Sequence, residues 1–158
     1  DDNDNRGNGN KSQKVRLVTI EKQPLFSGAV RQAGLDAATG DVVCYLDTDD
    51  FIDDYHLANI AMCFSETTEW VFFNSYWTLK QLGDKKVQFN CELKEGSINT
   101  SSFAHRRGLD ARWDGWVGAK ENWNFIKQLI EKYPNSKRIY GCGYNITHAE
   151  VGILKSDQ

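Results

Sequence analysis

No Cys-x-x-Cys pair occurs among the four cysteines, Cys44, Cys63, Cys91 and Cys142. Neither a zinc ribbon nor a thioredoxin-like redox site is therefore expected. No apolar run approaches the roughly 18 residues that a membrane span requires, and no secretory signal is expected at the start. Positive charge is not in excess: 19 basic against 22 acidic side chains leave a formal charge of -3. That argues against an extended nucleic-acid surface, which depends on clustered Lys and Arg. Residues 1–14 contain no apolar side chain, so a polar loop or disordered end is expected there, outside any core. Internal repeats are also lacking.

What remains is ordinary globular material. The 158 residues suit one domain or a piece of one, at roughly 100–200 residues per domain. A hydrophobic fraction of 40% with 12% aromatics is enough for a packed core and excludes wholesale disorder. Cys44 lies in a strand-like apolar run and Cys63 in a helical one, so both read as small buried side chains. Reduced thiols in a cytosolic setting are expected, and a peripheral membrane position is the alternative location. Two sequons, at Asn99 and Asn145, would matter only in a secreted chain.

Val15 to Ile20 alternates as a short strand would. Pro24 is placed to open a helix along which Leu25, Ala29, Ala33 and Ala37 recur, with Gly40 as its stop. Its small residues would let that helix lie close on a sheet. Asp41 to Leu46 is nearly all apolar, the pattern of a strand buried on both faces in a parallel sheet. A second helix is expected at about Asp54 to Glu66, capped by Asp53 or Asp54, with Leu57, Ile60, Ala61 and Phe64 inward. Strands follow at Trp70 to Phe73 and Val87 to Cys91, with a turn at Gly83-Asp84. Residues 94–118 have weak periodicity. A third helix, near Ala119 to Tyr133, places Trp123, Ile126, Ile130 and Tyr133 on one face and stops at Pro134. Strand-like stretches close the chain around Arg138 to Tyr140 and Tyr144 to Thr147. Strand–helix–strand–helix order argues for an α/β fold.

The sharpest feature is Asp47-Thr48-Asp49-Asp50, which follows the apolar strand directly. Three carboxylates within four residues repel one another, and a divalent cation reverses the sign of that term. Open α/β sheets bind ligands outside the carboxyl ends of their strands, where this cluster falls. A polar turn whose last Asp caps the next helix is the structural alternative.

Val30-Arg31-Gln32-Ala33-Gly34-Leu35, then Ala37-Ala38-Thr39-Gly40-Asp41, then Tyr45-Leu46-Asp47-Thr48-Asp49-Asp50 resemble the family 2 glycosyltransferases of the GT-A fold. Looser resemblance continues at Ser102 to Arg107 and Lys120 to Phe125. The resemblance implies a Rossmann-like nucleotide-diphospho-sugar transferase fold, with a mostly parallel central sheet flanked by helices. Residues 15–158 would form that single domain, without the strand and helix that precede Val15 in the family. It also implies a nucleotide-diphosphate sugar donor, with a UDP-sugar favoured, and a carbohydrate, lipid or protein acceptor. A Mn²⁺ or Mg²⁺ ion on the diphosphate would offset the charge that builds on the leaving phosphate.

Carried over by position, Asp49 and Asp47 are the implied metal ligands, with Asp47 also near the ribose and His148 as a late ligand. Arg31 and Asp2 are implied nucleotide contacts, although Arg31 could instead pair with Asp36 or Asp41. The family's usual Glu-Asp pair, whose Asp serves inverting members as general base, reads Glu121-Asn122 here. An amide cannot take that proton usefully, so Glu121 or Asp114, or else Asp110, is the candidate base. His105-Arg106-Arg107 could attract diphosphate, and Trp113 and Trp116 could stack on a sugar; residues 94–118 are the expected acceptor loop. Two rival functions remain. One is an inactive sugar-nucleotide-binding module, and the other is a haloacid dehalogenase-like phosphohydrolase, which wants Thr or Val where Phe51 stands.

Overall fold

The structure is a computed structural model that describes residues 15–21, 27–79, 82–113 and 120–147. In chain order the elements are α1 (Gly28–Ala37), β1 (Val42–Cys44), β2 (Phe51–Ile52), α2 (His56–Cys63), β3 (Trp70–Phe73), β4 (Ser75–Leu79), β5 (Lys85–Phe89), β6 (Phe103–Arg106), α3 (Glu121–Lys132), β7 (Ser136–Ile139) and β8 (Tyr144–Ile146). The strands form two four-stranded sheets, ordered β1-β6-β3-β7 and β2-β8-β4-β5. The fold is α/β as expected, but the sheets are mixed rather than mostly parallel. Among the described residues only β3–β7 and β4–β8 run parallel. In the first sheet the reason is β6, which inserts between β1 and β3 antiparallel to both, with Val43 opposite His105 and Trp70 opposite His105; in the second it is the antiparallel β2–β8 and β4–β5 pairs.

Alternation along β3 and β6 divides the core. Trp70 and Phe103 face a cluster with Phe125, Ile126 and Leu129 of α3. Val71, Phe73 and Ala104 face the opposite cluster, with Ile60 of α2 and Tyr144 of β8. Period-two side-chain alternation makes each of these strands serve both faces. A smaller cluster, Trp77 and Leu79 with Val87 and Phe89, supports the β4–β5 hairpin. Its turn carries Gly83 and Asp84 at positive φ, the turn the sequence signals.

Several expected elements are shorter or differ. Val15 to Ile20 forms no strand; it pairs with nothing described, and Leu17 is 89% exposed. β1 spans only Val42–Cys44, because one of its edges carries no partner strand among the described residues. Cys44 consequently faces a cavity beside α1 and is exposed, not buried. Pro24 and Leu25 lie outside the described residues. On α2, Leu57 and Ala61 point to solvent, and only His56 and Ile60 are buried. Neither Asp53 nor Asp54 caps α2 through its side chain: the N-cap is Tyr55, and His56 N–H donates to the Asp53 carbonyl. On α3, the inward stripe is Phe125, Ile126 and Leu129, with Trp123, Ile130 and Tyr133 packed at its margin. The weakly patterned 94–118 stretch supplies β6, whose Phe103, Ala104 and His105 are all buried.

Candidate functional site

Asp47, Asp49 and Asp50 lie in the turn that carries the chain from β1 to β2, past the carboxyl end of β1. The Asp50 N–H donates to the Asp47 carbonyl at 3.1 Å, closing the turn. All three residues line one cavity of about 230 Å³, with Arg31, Asn99, Thr100, Ser101, Asn122 and Ile146 around it. A second cavity, of about 410 Å³, adjoins it through Arg31 and Asp47 and runs between α1 and β1.

The three carboxylates are not equivalent. Asp50 is fully engaged: its Oδ2 accepts from the Tyr144 hydroxyl at 3.1 Å and its Oδ1 from the Thr147 N–H at 3.2 Å. Burial, reinforced by Asp49 and Asp47, outweighs those bonds and raises its carboxyl above the ordinary value. Asp47 gives one oxygen to Arg31, Nη2 to Oδ1 at 3.1 Å. The Asp49 carboxylate has no hydrogen-bond or ion-pair partner among the described residues, and the residue is exposed. The set of hard oxygen donors suits Mg²⁺ or Mn²⁺ chemically. Among the described residues, however, no three His, Cys, Asp or Glu side chains already converge on one point as a closed metal cage would. Asp47 and Asp49 border the cavity and leave carboxylate oxygens open, so the residues present fit such an ion.

Arg31 projects from α1 and joins the carboxylate turn to α3. Its Nη1 donates to Ser27 Oγ at 2.7 Å and lies 3.6 Å from Glu121 Oε2, while Ser27 donates to the same carboxylate oxygen at 2.8 Å. The guanidinium also sits 5.2 Å from the Trp113 ring centre. Neither Asp36 nor Asp41 is its partner; Asp36 is held by Gln32 and Arg112. Glu121, in the first turn of α3, is buried with this cation and does not line the 230 Å³ cavity. Its neighbour Asn122 does, with its Oδ1 accepting from Thr100 Oγ1 at 2.7 Å.

Other expected contributors fall elsewhere. His105 is buried in the core: its Nδ1 bonds the Arg106 carbonyl, its Nε2 meets Tyr45, and Tyr45 accepts from Trp113 Nε1. Burial drives its pKa down to about 4, so it is neutral at physiological pH. Arg106 is spent on the Thr68 and Ser65 carbonyls and Arg107 on the Gly40 carbonyl. None of the three borders the carboxylate cavity. Trp113 is a core residue, stacked 4.3 Å from Phe125, and not a sugar platform. Asp110 pairs with Lys132 and borders a different cavity. Asp2, Asp114, Trp116 and His148 lie outside the described residues.

Reading the sequence alone passed over Tyr144, Thr147, Ser27 and Thr100. All four are separated from the turn by at least 20 residues, and no spacing rule reports such contacts. The Asn145 sequon is closed by the fold: Asn145 is fully buried, its amide bonded to Asp53 Oδ1 and the Gly143 carbonyl.

The model of the family described as Glycosyl transferase family 2 matches residues 6–133. No curated protein matches the chain.

Proposed function

We propose a donor-binding role in sugar transfer, on the premise that the chain belongs to glycosyl transferase family 2. It is a glycosyltransferase domain, with a nucleotide-sugar donor and an acceptor as its substrate classes. Residues 15–158 then form one GT-A-like domain, and the 230 Å³ cavity takes the diphosphate of a nucleotide sugar, with a UDP-sugar favoured. The acceptor, a glycan, lipid or protein hydroxyl, approaches from the side of residues 94–118. No described helix is long and apolar enough to cross a membrane. Four free cysteines support a cytoplasmic setting, with peripheral membrane attachment as the alternative.

One observation carries this reading. The cavity presents three carboxylates and a single guanidinium, and a bare diphosphate entering it would be repelled. A dication makes the same arrangement attractive. Asp49 and Asp47 would hold Mn²⁺ or Mg²⁺, with His148 as a third ligand. The ion would supply Lewis-acid stabilisation of the leaving diphosphate. Arg31 contributes fixed positive charge at the junction of the two cavities, and Asp2 a contact to the nucleoside. Asp50, with both oxygens occupied, shapes the turn.

For the acceptor proton, Glu121 is the candidate base and Asp114 the other. Calorimetry with UDP and Mn²⁺ is expected to show binding that Asp49→Ala abolishes. Equal binding by that variant would remove the donor site.

A second reading is favoured by Asn122. The side chain of this pair that borders the cavity is an amide, whereas Glu121 is held by Arg31 and Ser27. A domain so arranged binds donor without transferring it. Asn122→Asp is then expected to raise donor hydrolysis or transfer at least tenfold, the usual scale of a positioned base being roughly 10²–10⁴. If wild type already turns over and the variant does not exceed it, the binding-only reading is wrong.

A further inference from the structure

Residues 144–147 follow the end of the family match at residue 133, yet they grip the carboxylate turn. Tyr144 is 1% exposed, and its hydroxyl spans the turn from first residue to last. It accepts from the Asp47 N–H at 3.1 Å and donates to Asp50 Oδ2 at 3.1 Å. Thr147 adds its N–H to Asp50 Oδ1 at 3.2 Å and its hydroxyl to the Asp49 carbonyl. The β2–β8 ladder, with Phe51 opposite Asn145 and Ile52 opposite Tyr144, fixes the register that brings both residues to the turn. Every residue of the Asp-x-Asp-Asp run that carries a carboxylate is touched by this pair.

We propose that Tyr144 and Thr147 are positioning residues of the donor site, holding the 47–50 turn in the shape that turns Asp47 and Asp49 toward one dication. The proposal rests on the donor-site reading above. Its physical basis is the repulsion among three carboxylates within four residues. Without an outside anchor, the turn relaxes by spreading them. Tyr144 and Thr147 occupy Asp50 and the backbone, and they leave the Asp49 carboxylate and one oxygen of Asp47 for a ligand. Residues that orient metal-binding carboxylates from behind typically govern affinity by about 10–100-fold when removed.

The test is Mn²⁺ alone, titrated against the protein and followed by the electron-spin resonance signal of the free ion. Tyr144→Phe keeps the ring in the core and removes the hydroxyl. Thr147→Val keeps the volume and the backbone donor, and it decides the matter alone should Tyr144→Phe not fold. Leu129→Ala, a core truncation along α3, controls for lost stability. The expected result is a Mn²⁺ dissociation constant raised roughly tenfold or more in Tyr144→Phe and severalfold in Thr147→Val, with Leu129→Ala within twofold of wild type at a temperature where all are folded. Wild-type affinity in both site variants would overturn the proposal while leaving the donor site standing. Absence of Asp49-dependent Mn²⁺ binding in wild type would overturn the donor site and this proposal together.

Discussion

Arg31 illustrates how one side chain can set the electrostatics of a whole site. It bonds Asp47 and Ser27 and lies beside Glu121, so it neutralises carboxylates drawn from two separate elements. Removing it has two consequences of opposite sign for ligands. Arg31→Ala leaves Asp47 uncompensated, so Mn²⁺ alone is expected to bind severalfold tighter, the scale set by about 1 kcal/mol of screened attraction. UDP in the presence of Mn²⁺ is expected to bind more weakly, because its phosphates lose a cation. Paired titrations with metal alone and with metal plus UDP check both signs. Parallel movement in the two titrations would show that Arg31 acts only through stability. The same substitution leaves buried Glu121 without its charge partner, and about 2 kcal/mol of stability is expected to go with it; urea melts measure that loss.

At the scale of elements, the site depends on how closely β8 approaches the β2–α2 connection. Gly143, one residue before β8, passes so near Asp53 that a Cβ there would stand 2.5 Å from Asp53 Oδ2 and 2.6 Å from Asp53 Cβ. Its carbonyl accepts the Asp53 N–H at 2.7 Å, and the Asp53 carboxylate in turn receives the Asn145 amide. A Cβ at this position would collide with the root of the Asp53 side chain. Gly143→Ala is expected to cost about 1–3 kcal/mol through overpacking. In a chain of this length that lowers the melting temperature by roughly 2–10 °C. Thermal unfolding followed by circular dichroism measures it, and an unchanged midpoint would mean that the approach is looser than the geometry indicates. Because β8 also carries Tyr144, the variant is further expected to weaken Mn²⁺ binding.

For the whole molecule, the core sets the response to acid. His105 is packed among Phe103, Tyr45 and Phe125, with its two ring nitrogens committed to Tyr45 and the Arg106 carbonyl. Its pKa falls from an ordinary 6.5 to about 4, chiefly by burial. His56, packed on Phe73 and Tyr144, is lowered for the same reason, against a partial opposing pull from Asp53. In both cases the unfolded chain takes up the proton first as pH falls. Stability from His105 is therefore complete above about pH 6.5 and drains away between there and about pH 4, and the His56 contribution is lost in the same direction. The His105 share is about 3 kcal/mol at roughly 1.4 kcal/mol per unit. Urea melts at pH 7 and pH 5 are expected to show the drop, and His105→Gln is expected to flatten it. A slope unaffected by that change would assign the acid sensitivity to other groups.

Local pattern alone determined the strongest segments of this protein. Short continuous apolar runs marked β1 and β3, the 3.6-residue stripe of α3 marked the third helix, and Gly83-Asp84 marked the hairpin. The Asp-x-Asp-Asp run marked the turn past the carboxyl end of β1, where the structure has a cavity. Each is a property of neighbours in the chain, which is why it was legible there. Tertiary structure decided the rest. β6 was hidden because a strand buried on both faces, with a histidine among its buried residues, has no alternation to display. Its antiparallel insertion turned an expected parallel sheet into a mixed one. Arg31 was drawn to Asp47 and Glu121 instead of to acids nearer in sequence because the fold brings the start of α1 beside the carboxylate turn and the first turn of α3. Which carboxylate is left open to a ligand was likewise settled by Tyr144 and Thr147, about a hundred residues away. Hydrogen bonds between groups so distant in sequence exist only once the sheets have assembled, and no pattern in the chain encodes them locally.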